Sequence, residues 1–361
     1  VIISGGGTGG HIYPAIAIAN ALQVINPNIS ILFVGAIGKM EMEKVPMAGY
    51  EIIGLPIVGI KRSLTLENIK FPIKLIYSLS EATKIIRDFK PDVAVGVGGF
   101  ASGPLLLMAA LKGIPFLIQE QNSYAGLTNK VLGKKAQKIC VAYPDMDQFF
   151  LKGKLKLLGN PVRNNILNIS GKRNKALAFF GLESHRKTIF IMGGSLGAKT
   201  INKAILDGLA QLIHAGYQVV WQTGKNFIKQ ADAAIKALNT NQVKAFDFIY
   251  AMDLAYAASD VVVSRAGALS VSELCLVGKP AILIPFPAAT EDHQTKNAMS
   301  LVKQNAAILV QDADAAARLV NELLMLLKDE LRQDILIQNI KKMGKPNAAM
   351  DIAMEVLSMK R

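Results

Sequence analysis

Two stretches of this chain use the same local grammar, and together they restrict the fold more than any other feature. Residues 1–11 read Val-Ile-Ile-Ser-Gly-Gly-Gly-Thr-Gly-Gly-His. An apolar strand end runs into a glycine-rich turn, and a helix follows, with Pro14 in its first turn and Ala15, Ile16, Ile18, Ala19 and Leu22 behind it. Residues 188–192, Gly-Gly-Ser-Leu-Gly (193–197) and a helical pattern from about 198 to 215 repeat this order at the head of the second half. A strand that hands a glycine turn to a helix is the opening of a parallel βαβ unit. Two such openings predict an α/β protein made of two doubly wound, Rossmann-like domains facing across a cleft. A ligand is expected in that cleft, at the carboxyl ends of both sheets.

The rest of the chain keeps the alternation. Short apolar runs at 30–35, 51–55, 93–97, 115–119 and 139–142 read as strands of the first half. Those at 218–222, 243–246, 261–264, 281–284 and 307–310 belong to the second. Residues 66–89 are helical in pattern, with Pro72 placed to kink or divide them. The pattern breaks near Gly-Asn-Pro (159–161), which sets domains at 1–159 and 160–340. The last segment, 341–361, is expected to be a helix packing back on the first domain. At 361 residues the chain is long enough for two cores.

Composition narrows the function classes. Charged residues are only 19% of the chain, yet the formal charge is +14, with eight basic and three acidic residues between Lys112 and Lys156. Such an excess suits an anionic membrane surface or a phosphorylated substrate. The lysines are not interleaved with aromatics and no nucleic-acid module is recognisable, so nucleic acid is not expected as a partner. No run of about twenty apolar residues suggests a membrane span, and no secretory leader is expected. Cys140 and Cys275 both lie in apolar segments and read as reduced, buried thiols rather than a disulfide or metal site.

Five glycines in the six positions 5–10 let a backbone approach an anion, and the unpaired N–H groups of the following helix start would face it. His11 at that junction is either a helix-start histidine satisfied by backbone or a general base with a pKa near working pH. A second glycine turn at 98–104 and the polar cluster Gln119-Glu-Gln-Asn122 follow strand ends, where ligands gather; Asn122 is alternatively a helix cap. Arg163 stands after the Asn-Pro turn and is either an ordinary surface arginine or a partner for a diphosphate. Ser-Arg-Ala-Gly-Ala-Leu-Ser-Val-Ser-Glu (264–273) follows a strand and starts a helix. It is either a capping arrangement or a pyrophosphate site in which Glu273 accepts from a ribose diol. Asp145-Met-Asp147 has the form of a metal-dependent sugar transferase site, but it fits a helix N-terminus equally well. No metal site and no cofactor are expected.

The set Gly-Gly-Thr-Gly-Gly-His (6–11), Gly-Gly-Phe-Ala-Ser-Gly-Pro (98–104), Glu-Gln-Asn (120–122), Gly-Asn-Pro-Val-Arg (159–163), Gly-Gly-Ser-Leu-Gly-Ala (193–198) and the 264–273 stretch closely resembles the MurG family. These are the N-acetylglucosaminyltransferases of bacterial peptidoglycan synthesis, and the likeness spans nearly the whole chain in order. It implies a GT-B fold and inverting transfer of N-acetylglucosamine from UDP-N-acetylglucosamine to lipid I, the undecaprenyl-pyrophosphoryl-N-acetylmuramoyl-pentapeptide, giving lipid II. It also implies a peripheral enzyme at the cytoplasmic face of the bacterial inner membrane, with other cell-wall synthesis proteins as further partners.

Carried over by position, Thr8, Gly9, Gly10, Asn122, Arg163, Ser195, Ile249, Ala268, Leu269, Ser270, Val271, Ser272, Glu273 and Gln294 would contact the UDP-sugar. Ile249 would meet the uracil edge through its backbone, and His11 would be the base. Two positions depart from the family: Phe100 stands where a tyrosine is usual, and Gln119 where a histidine commonly precedes Glu-Gln-Asn. For membrane docking, residues 69–77 would supply apolar insertion and the lysines from Lys130 to Lys138 would attract anionic lipid. A UDP-sugar 2-epimerase, another glycolipid glycosyltransferase and a non-catalytic nucleotide-binding module are the alternatives. A dinucleotide oxidoreductase fits less well, because Gly35 and Ala36 stand where the second strand should end in an acidic residue.

Overall fold

A computed structural model describes residues 1–59, 71–194 and 196–359. The chain divides into two compact units, one of Val1–Arg163 with Asn347–Arg361 and one of Asn164–Pro346. In the first, β1 (Ile2–Gly5), β2 (Leu32–Ala36), β3 (Glu51–Leu55), β4 (Ala94–Gly98), β5 (Phe116–Glu120), β6 (Lys138–Val141) and β7 (Leu155–Leu157) form one sheet in the order β3-β2-β1-β4-β5-β6-β7. Its strand pairings among the described residues are all parallel. Its helices are α1 (Gly9–Ile25), α2 (Glu41–Met47), α3 (Phe71–Phe89), α4 (Ser102–Leu111) and α5 (Leu127–Gly133).

Helices on both faces explain why the strands are apolar throughout rather than alternating. Successive residues of β1 point to opposite faces, so Ile2 joins a core with Leu105, Phe116 and Ile139 while Ile3 joins one with Ile12, Leu22 and Leu117.

The second unit is built alike. Its strands β8 (Thr188–Met192), β9 (Gln218–Gln222), β10 (Val243–Phe246), β11 (Val261–Ser264), β12 (Ala281–Leu283) and β13 (Ile308–Leu309) lie parallel in the order β10-β9-β8-β11-β12-β13. The helices are α6 (Arg173–Phe180), α7 (Lys199–His214), α8 (Ile228–Ala237), α9 (Met252–Ala258), α10 (Ala268–Val277), α11 (His293–Val302), α12 (Ala315–Lys328) and α13 (Glu330–Lys342). Ile189, Ile191, Trp221, Leu209 and Leu323 are among its fully or almost fully buried core residues. The final helix, α14 (Ala348–Leu357), belongs to the first unit. Its Ile352, Ala353 and Val356 complete the core around Ile12 and Leu22, and its Glu355 pairs with Lys138 at 2.5 Å.

Some elements differ from the sequence expectation. The strand β7 was not anticipated: Leu-Lys-Leu is too short to show a period, and its lysine, like Lys152 and Lys154 before it, is the kind of charged residue usual on an edge strand. Pro72 is the second described residue of α3, so the kink expected there falls at the edge of the described residues. Residues 66–70 lie outside the described residues. Cys140 and Cys275 are buried, unpaired thiols, and burial pushes both up to about 12. Among the described residues no helix is long and apolar enough to cross a membrane.

Candidate active site

In each unit the strand order reverses at one place, between β1 and β4 and between β8 and β11. The two strands there send their following helices to opposite sides, which leaves a crevice at their carboxyl ends. The loop after β1 fills that position in the first unit. Its backbone groups can be followed one by one. Gly6 N–H donates to the Gly98 carbonyl at 3.2 Å, Gly7 N–H to the Glu41 carboxylate at 2.8 Å, and the N–H groups of His11 and Ile12 to the Thr8 carbonyl at 3.1 Å. The intervening N–H groups of Thr8, Gly9 and Gly10, at the start of α1, have no backbone acceptor among the described residues. Thr8, at the N-cap of α1, makes no side-chain cap bond.

Most of the glycines answer to packing. A Cβ on Gly6 would overlap the Glu41 carboxylate, one on Gly5 would come within 3.0 Å of Ala15 and of the His11 carbonyl, and one on Gly9 within 3.2 Å of Tyr13. Gly7 has φ +83°, with open space beside it. At Gly10 a Cβ would meet only the Thr8 hydroxyl, at 3.5 Å. The glycine excess is therefore largely a matter of packing, and the loop N–H groups without a backbone acceptor reduce to those of Thr8, Gly9 and Gly10.

His11 sits where the two glycine turns of this unit meet. Its Nδ1 lies 2.9 Å from the Gly6 carbonyl, an acceptor only, so Nδ1 carries the proton of the neutral ring and Nε2 is the nitrogen able to take another. The ring lies over Gly98 (φ +100°), where a Cβ would come within 2.7 Å of Cδ2. At Gly99 (φ +94°) a Cβ would strike the Gly6 backbone. Ser102, the first residue of α4, ties the two turns by donating to the carbonyls of Ser4 and Gly98. The guanidinium of Arg163 lies 5.4 Å over the ring of Tyr13, one turn into α1, so Thr8, Gly9, Gly10, His11 and Arg163 gather at one end of this sheet.

The turn after β5 is held by a buried carboxylate. Glu120 accepts from the N–H of Asn122 at 3.0 Å, from the N–H of Gly126 at 3.1 Å and from the Asn129 amide at 2.8 Å. Asn122 does not cap α5, whose N-cap is Gly126. Gln119, fully buried, donates to Asn160 at 2.8 Å, and Asn160 donates to the Gln121 carbonyl at 3.0 Å. Gln119 is thus an internal tie between β5 and the Gly-Asn-Pro turn.

In the second unit, Gln222 at the end of β9 organises the corresponding loop. Its amide donates to the Gly194 carbonyl at 3.0 Å and its oxygen accepts from Ile249 N–H at 2.9 Å, so the Ile249 N–H is already engaged within the protein. Ser195 lies outside the described residues. The helix α10 starts at Ala268 behind Gly267, with no side-chain cap bond, so the capping arrangement is not what this stretch forms. Leu269 and Ser270 complete its first turn with partial exposure, Val271 is buried, and Ser272 donates back to the Ala268 carbonyl. Glu273 is buried and accepts from the Tyr256 hydroxyl at 3.0 Å. Gln294, in the first turn of α11, accepts from Phe286 N–H at 3.0 Å and keeps its amide protons for other acceptors. The turn before it holds Glu291 and Asp292 at φ +51° and +56°, a conformation side chains adopt at a cost and which concentrates at working sites.

The two halves match models described as the glycosyltransferase family 28 N-terminal domain, over residues 1–141, and C-terminal domain, over 188–354. The chain is 52% identical over 359 residues to the UDP-N-acetylglucosamine--N-acetylmuramyl-(pentapeptide) pyrophosphoryl-undecaprenol N-acetylglucosamine transferase of Parabacteroides distasonis, covering 99% of this chain and 98% of the relative. It is 51% identical over 360 residues to that of Flavobacterium psychrophilum, at 99% and 97% coverage. The chain belongs to the MurG family. The crystal structure of Acinetobacter baumannii MurG superposes with a TM-score of 0.82 at 28% identity, covering 99% of this chain and 98% of that one, and the fold is GT-B. A UDP-GlcNAc 2-epimerase from Neisseria meningitidis shares the fold alone, at TM-score 0.69 and 18% identity over 99% of each chain.

Against the MurG pattern, both departures have a local account. Phe100 is half exposed with its ring against Gly59, and Gln119 is sealed in the core. The sequence reading passed over Glu41, Gln222 and Arg265. Arg265 donates to the carbonyls of Ile284 and Pro285 and to Asp312, fixing the strand end that precedes Gln294. Asp145 and Asp147 are exposed around a three-residue turn, Met146–Gln148. Among the described residues no cluster of three potential metal ligands is found.

Proposed function

We propose that this MurG-family protein transfers N-acetylglucosamine from UDP-N-acetylglucosamine to lipid I, forming lipid II with inversion at the anomeric carbon. The observation that carries the chemistry is the His11 ring at the junction of the two glycine turns, with Nδ1 hydrogen-bonded to the Gly6 carbonyl, which makes Nε2 the basic nitrogen of the neutral ring. The acceptor sugar's hydroxyl gives its proton to Nε2 as its oxygen attacks the anomeric carbon. The bond from that carbon to the UDP oxygen breaks, and UDP leaves with the electron pair. Charge growing on the leaving diphosphate is met by the N–H groups of the α10 start, which supply electrostatic stabilisation. Gln294 orients the sugar, Glu273 and its Tyr256 partner the ribose, and the Ile249 carbonyl the uracil. Thr8, Gly9 and Gly10 take the acceptor diphosphate. Asn122 contacts the donor sugar.

The acceptor's lipid tail calls for docking on a membrane. Ile73, Ile76 and Tyr77 of α3, Leu111 of α4, and Leu127 and Val131 of α5 are well exposed, and these helices pack in sequence along one side of the first unit. We place the membrane contact there, as an apolar face with lysines around it. Lys138 drops out of the basic set, since Glu355 and Ser358 occupy its ammonium. Lys130 lies 3.8 Å over the Tyr124 ring and 4.6 Å over that of Phe149, so its ammonium is held by two cation–π contacts. The reading is tested by following labelled N-acetylglucosamine from UDP into a lipid I analogue in excess chelator and determining the anomeric configuration of the product. Inverted product supports it; retention, or dependence on a divalent cation, contradicts it.

A further inference from the structure

We infer that Glu41 is a positioning residue for the anion-facing loop, an inference that rests on the transferase reading above. Glu41 is 1% exposed, although carboxylates are seldom buried. One of its oxygens accepts from Gly7 N–H at 2.8 Å and the other from Ala36 N–H at 3.0 Å, so it straps the loop after β1 to the end of β2. Two glycines are shaped around it: a Cβ on Gly6 would overlap its carboxylate, and one on Gly35 would lie 2.6 Å from its Cγ.

The consequence for ligand binding follows from the order of N–H groups along the loop. Glu41 takes Gly7 N–H out of the ligand-facing series and fixes Gly7 in its left-handed turn, so the series begins at Thr8. Its negative charge lies directly behind the loop and repels an anion that would slide deeper. The carboxylate therefore sets the depth at which a diphosphate rests on Thr8, Gly9 and Gly10, and with it the distance from the acceptor to His11 Nε2.

The test compares Glu41→Gln with Glu41→Asp in initial-rate assays with UDP-N-acetylglucosamine and a lipid I analogue. In Glu41→Gln an amide NH2 replaces one accepting oxygen and faces a backbone N–H; Glu41→Asp is too short to hold both segments. For Glu41→Gln we expect KM for the acceptor to rise about tenfold or more, the scale of one lost charge-assisted hydrogen bond, with KM for UDP-N-acetylglucosamine within about twofold. Glu41→Asp should fall between this variant and the parent. Equal changes in both KM values, or a lowered melting temperature with unchanged kinetics, would make Glu41 merely structural and overturn the inference. Should the unaltered protein transfer no sugar, the functional reading fails first and separately.

Discussion

One carbonyl sets the tautomer of His11. Because Gly6 offers only an acceptor to Nδ1, the ring's second nitrogen is the one that can receive a proton. His11→Ala should therefore lower kcat by roughly a hundredfold or more, the usual worth of a positioned base, while UDP affinity stays within about twofold. Calorimetric UDP binding beside turnover separates the two, and parallel loss of both would make His11 a binding residue. The position of His11 was legible in the sequence from the glycines around it, but its tautomer was not. Glu41 was not legible at all. Nothing in the sequence separates it from Glu43, two residues on, yet Glu43 is 70% exposed and pairs with Lys44 while Glu41 is sealed under the loop. Two residues advance a helix by just over half a turn, and which face turns inward is settled by tertiary packing.

At the scale of elements, the strands legible residue for residue, such as Thr188–Met192 and Gln218–Gln222, are apolar runs with β-branched or aromatic centres. Where that signal is short, as in Leu155–Leu157, only pairing with β6 creates the strand. The attachment of α14 to the first unit is an electrostatic as well as an apolar matter. The ammonium of Lys138, hydrogen-bonded to Glu355, holds that carboxyl below its ordinary 4.5, against a smaller opposing effect of burial. A carboxyl whose folded-state pKa is depressed stabilises the fold at pH above its unfolded value and loses that contribution as pH falls through the folded one. Glu355→Gln should lower the melting temperature at pH 7, and the gap to the parent should close as pH drops below about 4.5. A gap independent of pH would show that the ion pair contributes nothing.

For the whole molecule, the repeated strand–glycine–helix opening made the two-sheet architecture readable, because each opening marks a switch point. The proposed docking face was readable only in part: the sequence points to apolar residues within 69–77, but exposure of Leu111, Leu127 and Val131 depends on how α3, α4 and α5 lie together. Ile76→Ser with Leu127→Ser should reduce co-sedimentation with phosphatidylglycerol-containing vesicles about tenfold, from the loss of two buried apolar side chains, and leave transfer to a soluble acceptor unchanged. Undiminished vesicle binding would move the membrane contact elsewhere.

The central claim is a reaction, and one measurement addresses it: labelled UDP-N-acetylglucosamine is incubated with the protein, with and without a lipid I analogue, and both sugar and nucleotide products are resolved. The account predicts label in the acceptor and release of UDP only when acceptor is present, with the donor unchanged in its absence. Epimerised donor without acceptor, or no label in the acceptor at saturating donor, would contradict it.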